Sequence, residues 1–130
     1  SVSIQESQWR PLKTKSSTRT IPLGGAALWA SGRLLESSDK GFLFPKYCDG
    51  KITKSNSASA ALNKWLKPRV PQGCVIHSFR HSFRDRLRAV ECPAEIIDQV
   101  GGWSNRSVGE EYGRGYPISS VHGYFAKLVI

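Results

Sequence analysis

The chain has 130 residues, 39% of them hydrophobic, and 19 Lys and Arg against 10 Asp and Glu give it a formal net charge of +9. That length accommodates one domain around a single modest core. No apolar run approaches the roughly 20 residues that span a bilayer, and the basic segments lack the broad apolar face of an interfacial helix. No membrane partner is therefore expected, and the charge favours a polyanionic one. Cys48, Cys74 and Cys92 are widely spaced and odd in number; they match neither a disulfide framework nor a zinc site and read as buried bystander thiols, so no metal is expected. The absence of methionine, even at the first position, reads as a portion of something longer.

In chain order, Val2 to Gln5 has extended character, and Lys13 to Leu23 reads as strand, polar turn, strand. The β-branched residues after Ser17 favour the second strand, and Pro22 ends it. Gly24 to Leu35 places Ala26, Ala27, Leu28, Ala30, Leu34 and Leu35 at spacings that predict an amphipathic helix packed on that hairpin. Phe42-Leu43-Phe44-Pro45 reads as a short buried connection. Asp49 to Ser59 reads as a flexible or ligand-facing loop. Ser57 or Ser59 then caps a helix to about Lys67 that buries Leu62, Trp65 and Leu66, stopped by Pro68 and Pro71. Ser78 is the expected cap of a helix from Phe79 to about Glu91. Pro93 opens another, Ala94 to Val100, which Gly101-Gly102 terminates. Residues 118–130 carry Ile118, Val121, Phe125, Leu128 and Val129 near helical spacing, a tail suited to folding back or to docking on a neighbouring subunit. The whole reads as α+β, mainly α-helical, with a small antiparallel sheet near the N-terminus.

The chemistry-bearing residues gather in the second half. Phe79, Phe83, Leu87 and Val90 recur at intervals of four, four and three and form one buried stripe. Arg80, Arg84 and Arg88 follow one position later as a basic ridge. His77 and Arg80 flank the helix start, where free N–H groups and the helix dipole favour an anion, and the Arg80 guanidinium offers a rigid fork to phosphate oxygens. Trp103 follows 23 residues after Arg80, behind a double glycine, and its polar capacity is a single indole N–H donor. Tyr112, nine residues further, stands in the Gly-flanked Glu-Glu-Tyr-Gly-Arg-Gly-Tyr-Pro segment. Its phenol lies about three units below its pKa near neutrality and needs cationic neighbours to become a nucleophile. His81 and His122 read as packing or surface groups.

Taken together these motifs resemble the C-terminal catalytic domain of tyrosine recombinases of the phage integrase type. The family's H-x-x-R box corresponds to His77-Ser78-Phe79-Arg80, its Gly-Trp to Gly102-Trp103, and its nucleophile to Tyr112. Its hairpin lysine falls on Lys13 of Lys-Thr-Lys-Ser-Ser-Thr-Arg-Thr-Ile-Pro, with Lys15 the runner-up, and Phe42-Leu43-Phe44-Pro45 is similar to the family's link between hairpin and helices. The likeness covers nearly the whole chain, residues 1–130 as one partial catalytic domain. It implies site-specific recombination of double-stranded DNA for a phage or mobile element, in the cytoplasm at the bacterial nucleoid, through a 3′-phosphotyrosyl intermediate and with no cofactor. Tyr112 would be the nucleophile, Arg80 and His77 phosphate ligands, Trp103 an indole donor and Lys13 the acid for the leaving oxygen. Lys15, Arg19, Arg84 and Arg88 would contact DNA, and the protein would self-associate on it.

One departure stands out. The family uses two catalytic arginines, the first ahead of the hairpin, and Arg10 stands in the wrong context to be it. That arginine is expected outside these 130 residues, so the isolated chain is expected to be weak or inactive; losing one positioned donor costs roughly 2.7–4 kcal/mol. Tyr116 competes with Tyr112 for the nucleophile's place, although Pro117 constrains it. A non-catalytic DNA-binding remnant and a type IB topoisomerase-like nicking and closing enzyme are the alternatives.

Overall fold

The computed structural model describes residues 1–12, 17–38, 41–103 and 115–128. Two strands and five α-helices follow one another there: β1 (Val2–Ile4), β2 (Arg19–Ile21), α1 (Gly25–Glu36), α2 (Ser55–Leu66), α3 (Ser78–Ala89), α4 (Ala94–Gly101) and α5 (Ile118–Ala126). The class is α+β and mainly helical, with one small antiparallel sheet. Val2 pairs with Ile21, Ser3 with Thr20 and Ile4 with Arg19, and the Ser3 and Thr20 hydroxyls meet at 3.1 Å across the pair. The partner of the predicted second strand is thus the extended stretch at the start of the chain. Pro22, which has no N–H to continue the ladder, follows β2 directly and is buried.

The core belongs to the C-terminal half. Leu87 of α3, Cys92 of the α3–α4 turn, Ile96, Ile97 and Val100 of α4, and Val121 of α5 form one buried cluster, flanked by Ile21, Phe83, Trp103, Phe125 and Leu128. Cys92 is there because it packs as a small apolar group, and burial raises its thiol pKa. Phe83 and Phe125 meet edge to face at 5.4 Å and join α3 to α5.

Two consecutive helix ends share one device. After α3, the Cys92 N–H bonds to the Leu87 carbonyl and the Glu91 N–H to the Arg88 carbonyl, with Glu91 left-handed at φ 56°. After α4, the Trp103 N–H bonds to the Asp98 carbonyl and the Gly102 N–H to the Gln99 carbonyl, with Gly102 left-handed at φ 62°. Both are Schellman motifs, in which one left-handed residue closes the last turn and the next residue packs back on the helix. The residue packed back is Cys92 in the first and Trp103 in the second.

Several expectations are corrected. Helix α1 matches its predicted span but buries no residue, and Leu28, Trp29 and Leu35 are exposed, because the small sheet is too short to cover that face. Phe42, Leu43 and Phe44 are exposed rather than buried; Phe42 has the edge of Trp9 against it at 5.8 Å. The predicted loop from Asp49 is shorter than expected: Cys48 bridges to Thr53, the Asp49 carboxylate accepts from the Lys51 and Ile52 N–H groups, and α2 begins at Ser55 behind Lys54 with no side-chain cap. These hydrogen bonds hold the Asp49 carboxyl below its usual pKa. Of the three residues expected inside α2, only Leu66 is buried; Leu62 and Trp65 are exposed, because α2 packs through a single edge. Pro68 does not stop the chain's winding at once, since Lys67–Arg69 continue as a 3₁₀ turn. Helix α3 starts one residue early, behind His77 rather than Ser78, and the Ser78 hydroxyl accepts from the Val75 N–H instead. Phe79, first of the predicted stripe, is 57% exposed at the rim of an apolar groove of about 410 Å³ that Ile21, Pro22, Phe83, Phe125 and Leu128 also line. Nothing among the described residues closes that groove.

Candidate functional site

Four of the predicted residues that the structure describes, Arg19, Arg80, Arg84 and Trp103, meet at the C-terminal end of α4. Arg80, on the first turn of α3, donates from Nη2 to the Gly101 carbonyl at 2.6 Å. Its guanidinium lies 4.1 Å from the Trp103 ring centre, and that of Arg84, one turn later, lies 5.0 Å from it. Arg84 also approaches Asp98 at 3.8 Å, a loose ion pair that ties α3 to α4. Cations belong at this place on physical grounds, because the last carbonyls of a helix lack partners and its dipole end is negative. The indole face adds cation–π attraction.

The double glycine before Trp103 has two separate causes. A Cβ on Gly101 would fall 1.7 Å from the Trp103 ring, so the indole lies flat on the Gly101 backbone. A Cβ on Gly102 would fall 2.5 Å from Nη1 of Arg19, and the residue is left-handed besides. One glycine admits the tryptophan and the other an arginine.

That arginine was expected among the DNA contacts, and the structure gives it a different set of partners. Arg19 donates from Nε to the Val100 carbonyl at 2.8 Å and from Nη1 to the Ser17 carbonyl at 2.8 Å. It fastens strand β2 to the same helix end that Arg80 caps. Burial, and then the neighbouring charge of Arg80, lower its pKa, which leaves it cationic at any ordinary pH. No carboxylate is within ion-pair distance of Arg19 or Arg80 among the described residues.

His77 is exposed at the start of α3, its ring 5.7 Å from that of His81 in an edge-to-face pair. Arg88 is exposed and sits 3.6 Å from Asp85 on its own helix. Lys13, Lys15 and Tyr112 lie outside the described residues. The chain on either side of 104–114 is nevertheless anchored: Trp103 bonds to Asp98 as described, and Tyr116 is held by the Gln99 side chain. Gln99 Nε2 donates to the Tyr116 carbonyl at 2.9 Å, and its Oε1 accepts from the Tyr116 N–H at 2.8 Å. Both ends of the segment that carries Tyr112 are thus fastened to adjacent residues of α4. Sequence reasoning missed Asp98 and Gln99; their one signal is position, in the last turn before the Gly-Gly-Trp run. Tyr116, the rival nucleophile, has this backbone clamp and an exposed ring.

The arrangement can bind an anion through paired guanidiniums beside an indole donor, next to a tethered tyrosine-bearing segment. Among the described residues no group of His, Cys, Asp and Glu is placed to hold a metal ion, and no helix is long and apolar enough to cross a membrane. No protein-family model, curated protein or solved structure significantly matches this chain.

Proposed function

We propose that the chain is part of a tyrosine recombinase catalytic domain that cleaves and rejoins DNA strands through Tyr112. The supporting observation is the end of α4, where Arg80 stacks on Trp103 and bonds the Gly101 carbonyl while both flanks of 104–114 attach to the same helix. Tyr112 stands four positions before the clamped Tyr116, a reach of at most about 14 Å.

In this reading the Tyr112 Oη attacks the scissile phosphorus and passes its proton to His77. A phosphotyrosyl bond forms at the 3′ end while the bond from phosphorus to the 5′ oxygen breaks, and Lys13 protonates that oxygen to a free hydroxyl. Arg80, His77 and the Trp103 indole N–H hold the non-bridging oxygens, whose charge grows in the transition state. A 5′-hydroxyl from a second duplex reverses the step and exchanges strands. The energy of the broken bond is kept in the protein–DNA link, so no nucleotide is consumed. Arg19 is not assigned the second-arginine role of such sites in this reading, because it spends two donors on carbonyls.

A pool of nicked duplexes tests this, because the short 5′-hydroxyl fragment diffuses away and traps the covalent species. With a segment that carries the first arginine supplied, the expected result is a protein–DNA adduct that survives denaturation, is lost in Tyr112→Phe and persists in Tyr116→Phe. An adduct that survives Tyr112→Phe would move the nucleophile. Salt-dependent binding with no adduct, even when a first-arginine segment is supplied, would leave a DNA-binding module without strand transfer.

A further inference from the structure

The residues expected to touch DNA are largely occupied in the fold: Arg19 with carbonyls, Arg84 with Trp103 and Asp98, Arg88 with Asp85. A different surface carries exposed lysines, of which Lys64 and Lys67 have no side-chain hydrogen bond or ion pair among the described residues. Between Asp49 and Asp85 there is no acidic residue, whereas Lys51, Lys54, Lys64, Lys67, Arg69, Arg80 and Arg84 are all cationic. Much of this charge lies on α2 and the 3₁₀ turn that continues it.

Helix α2 buries Leu66, and Asn63 lies on the same inner side, its Oδ1 accepting from the Ile76 N–H at 2.7 Å. That bond fastens α2 to the residue just before His77. On the opposite side Lys54, Ser57, Ala61 and Lys64 follow at intervals of three, four and three, one line along the helix. Lys67 and Trp65 flank it, and all six are exposed. Trp65 is 58% exposed, and Arg69 lies 4.3 Å over its ring while donating to the Trp65 carbonyl. Asp49, ahead of the helix, accepts from the Lys51 and Ile52 N–H groups, and its carboxylate is also within electrostatic reach of Lys54.

We infer that this outer face of α2 is a backbone-contact surface for double-stranded DNA, separate from the cluster around Arg80. The inference rests on the DNA reading above and adds where the duplex lies. Charge complementarity selects the partner: a helix of about 18 Å presenting lysines at both ends reaches phosphates on both walls of a groove about 12 Å wide. The small Ser and Ala side chains between the lysines let the helix approach closely. Bases are not read here, since lysines to phosphate position a duplex without specifying its sequence. An ordinary solvated basic face has the same composition, and salt dependence separates the two.

The test uses the full 130-residue chain and a fluorescent random-sequence 30-base-pair duplex, with anisotropy followed across a potassium chloride series. The variant is Lys54→Ala/Lys64→Ala/Lys67→Ala. Alanine is the best helix former, so circular dichroism should show an unchanged fold. The expected result is a salt slope shallower by roughly 2–3 and affinity lower on the order of 100-fold at 0.15 M salt, alike for every duplex sequence. An unchanged slope and affinity would make the face merely solvated and overturn the inference. Tighter wild-type binding to an RNA duplex or a single strand of equal length, with the same loss in the variant, would overturn the choice of partner. The nicked-substrate adduct reports independently: adduct formation with an unaffected slope sinks only this surface, whereas a lost slope with no adduct under any condition sinks only the strand-transfer reading.

Discussion

At the scale of single residues, the site is organised by what does not fit beside it. Gly101 carries the Trp103 indole on its bare Cα, and Gly102 admits the Arg19 guanidinium while turning left-handed. Gly101→Ala must therefore push the indole away from Arg80. The expected outcome is a loss of about 1–3 kcal/mol in urea unfolding, together with a changed tryptophan emission that reports the displaced ring. A variant with unaltered stability and emission would mean that the ring does not rest on that glycine. The importance of Gly-Gly-Trp is legible in the sequence because no other residue pair tolerates such approaches. The partner of Gly102 is not, since Arg19 lies more than 80 residues upstream and looks like any surface arginine on a strand.

At the scale of elements, helix ends set the positions that matter. The two Schellman turns after α3 and α4 differ in one respect: the left-handed residue is Gly102 in the second and Glu91 in the first. An L side chain in that region costs roughly 1–2 kcal/mol, partly offset for a glycine by its greater loss of freedom. Glu91→Gly should then raise unfolding free energy by about 0.5–1 kcal/mol, seen as a higher thermal midpoint with unchanged helical signal. A lowered midpoint would show that the Glu91 side chain contributes more than its backbone costs. The spans of α1 and α4 were readable from periodicity and the Gly-Gly stop, and the second strand from its β-branched run and Pro22. The start of α2 was not, because its run of Ser, Asn and Ala offers several equivalent caps and the chain uses none of them. The first strand's identity was hidden for another reason. Pairing between β1 and β2 is long-range, and three residues, even alternating as Val2-Ser3-Ile4 do, carry no signal of their partner.

At the scale of the whole molecule, stability is concentrated on one side. The buried cluster draws on α3, the α3–α4 turn, α4 and α5, whereas α1 contributes no buried residue and α2 only Leu66. Leu87→Ala, at a fully enclosed position, should lower stability by about 2–5 kcal/mol. Trp29→Ser, on the open face of α1, should change it by less than about 0.5 kcal/mol. Denaturant titrations of the two variants make the comparison, and similar losses would show that α1 is covered in solution. This asymmetry explains why apolar periodicity misled at Leu62, Trp65 and Phe79. Periodicity reports that a face is apolar, while burial depends on whether another element is there to cover it.

The sequence by itself determined the class, most helix spans, and the candidacy of His77, Arg80 and Trp103, because helix periodicity, proline and glycine stops and charge are local properties of the chain. Only the tertiary structure decided which cations are engaged and which stand outward. Arg19 and Arg80 are drawn to the end of α4 by its unpaired carbonyls, whereas Lys64 and Lys67 stand exposed with no side-chain hydrogen bond or ion pair among the described residues. Those allegiances form between residues distant in sequence, and packing alone brings them together.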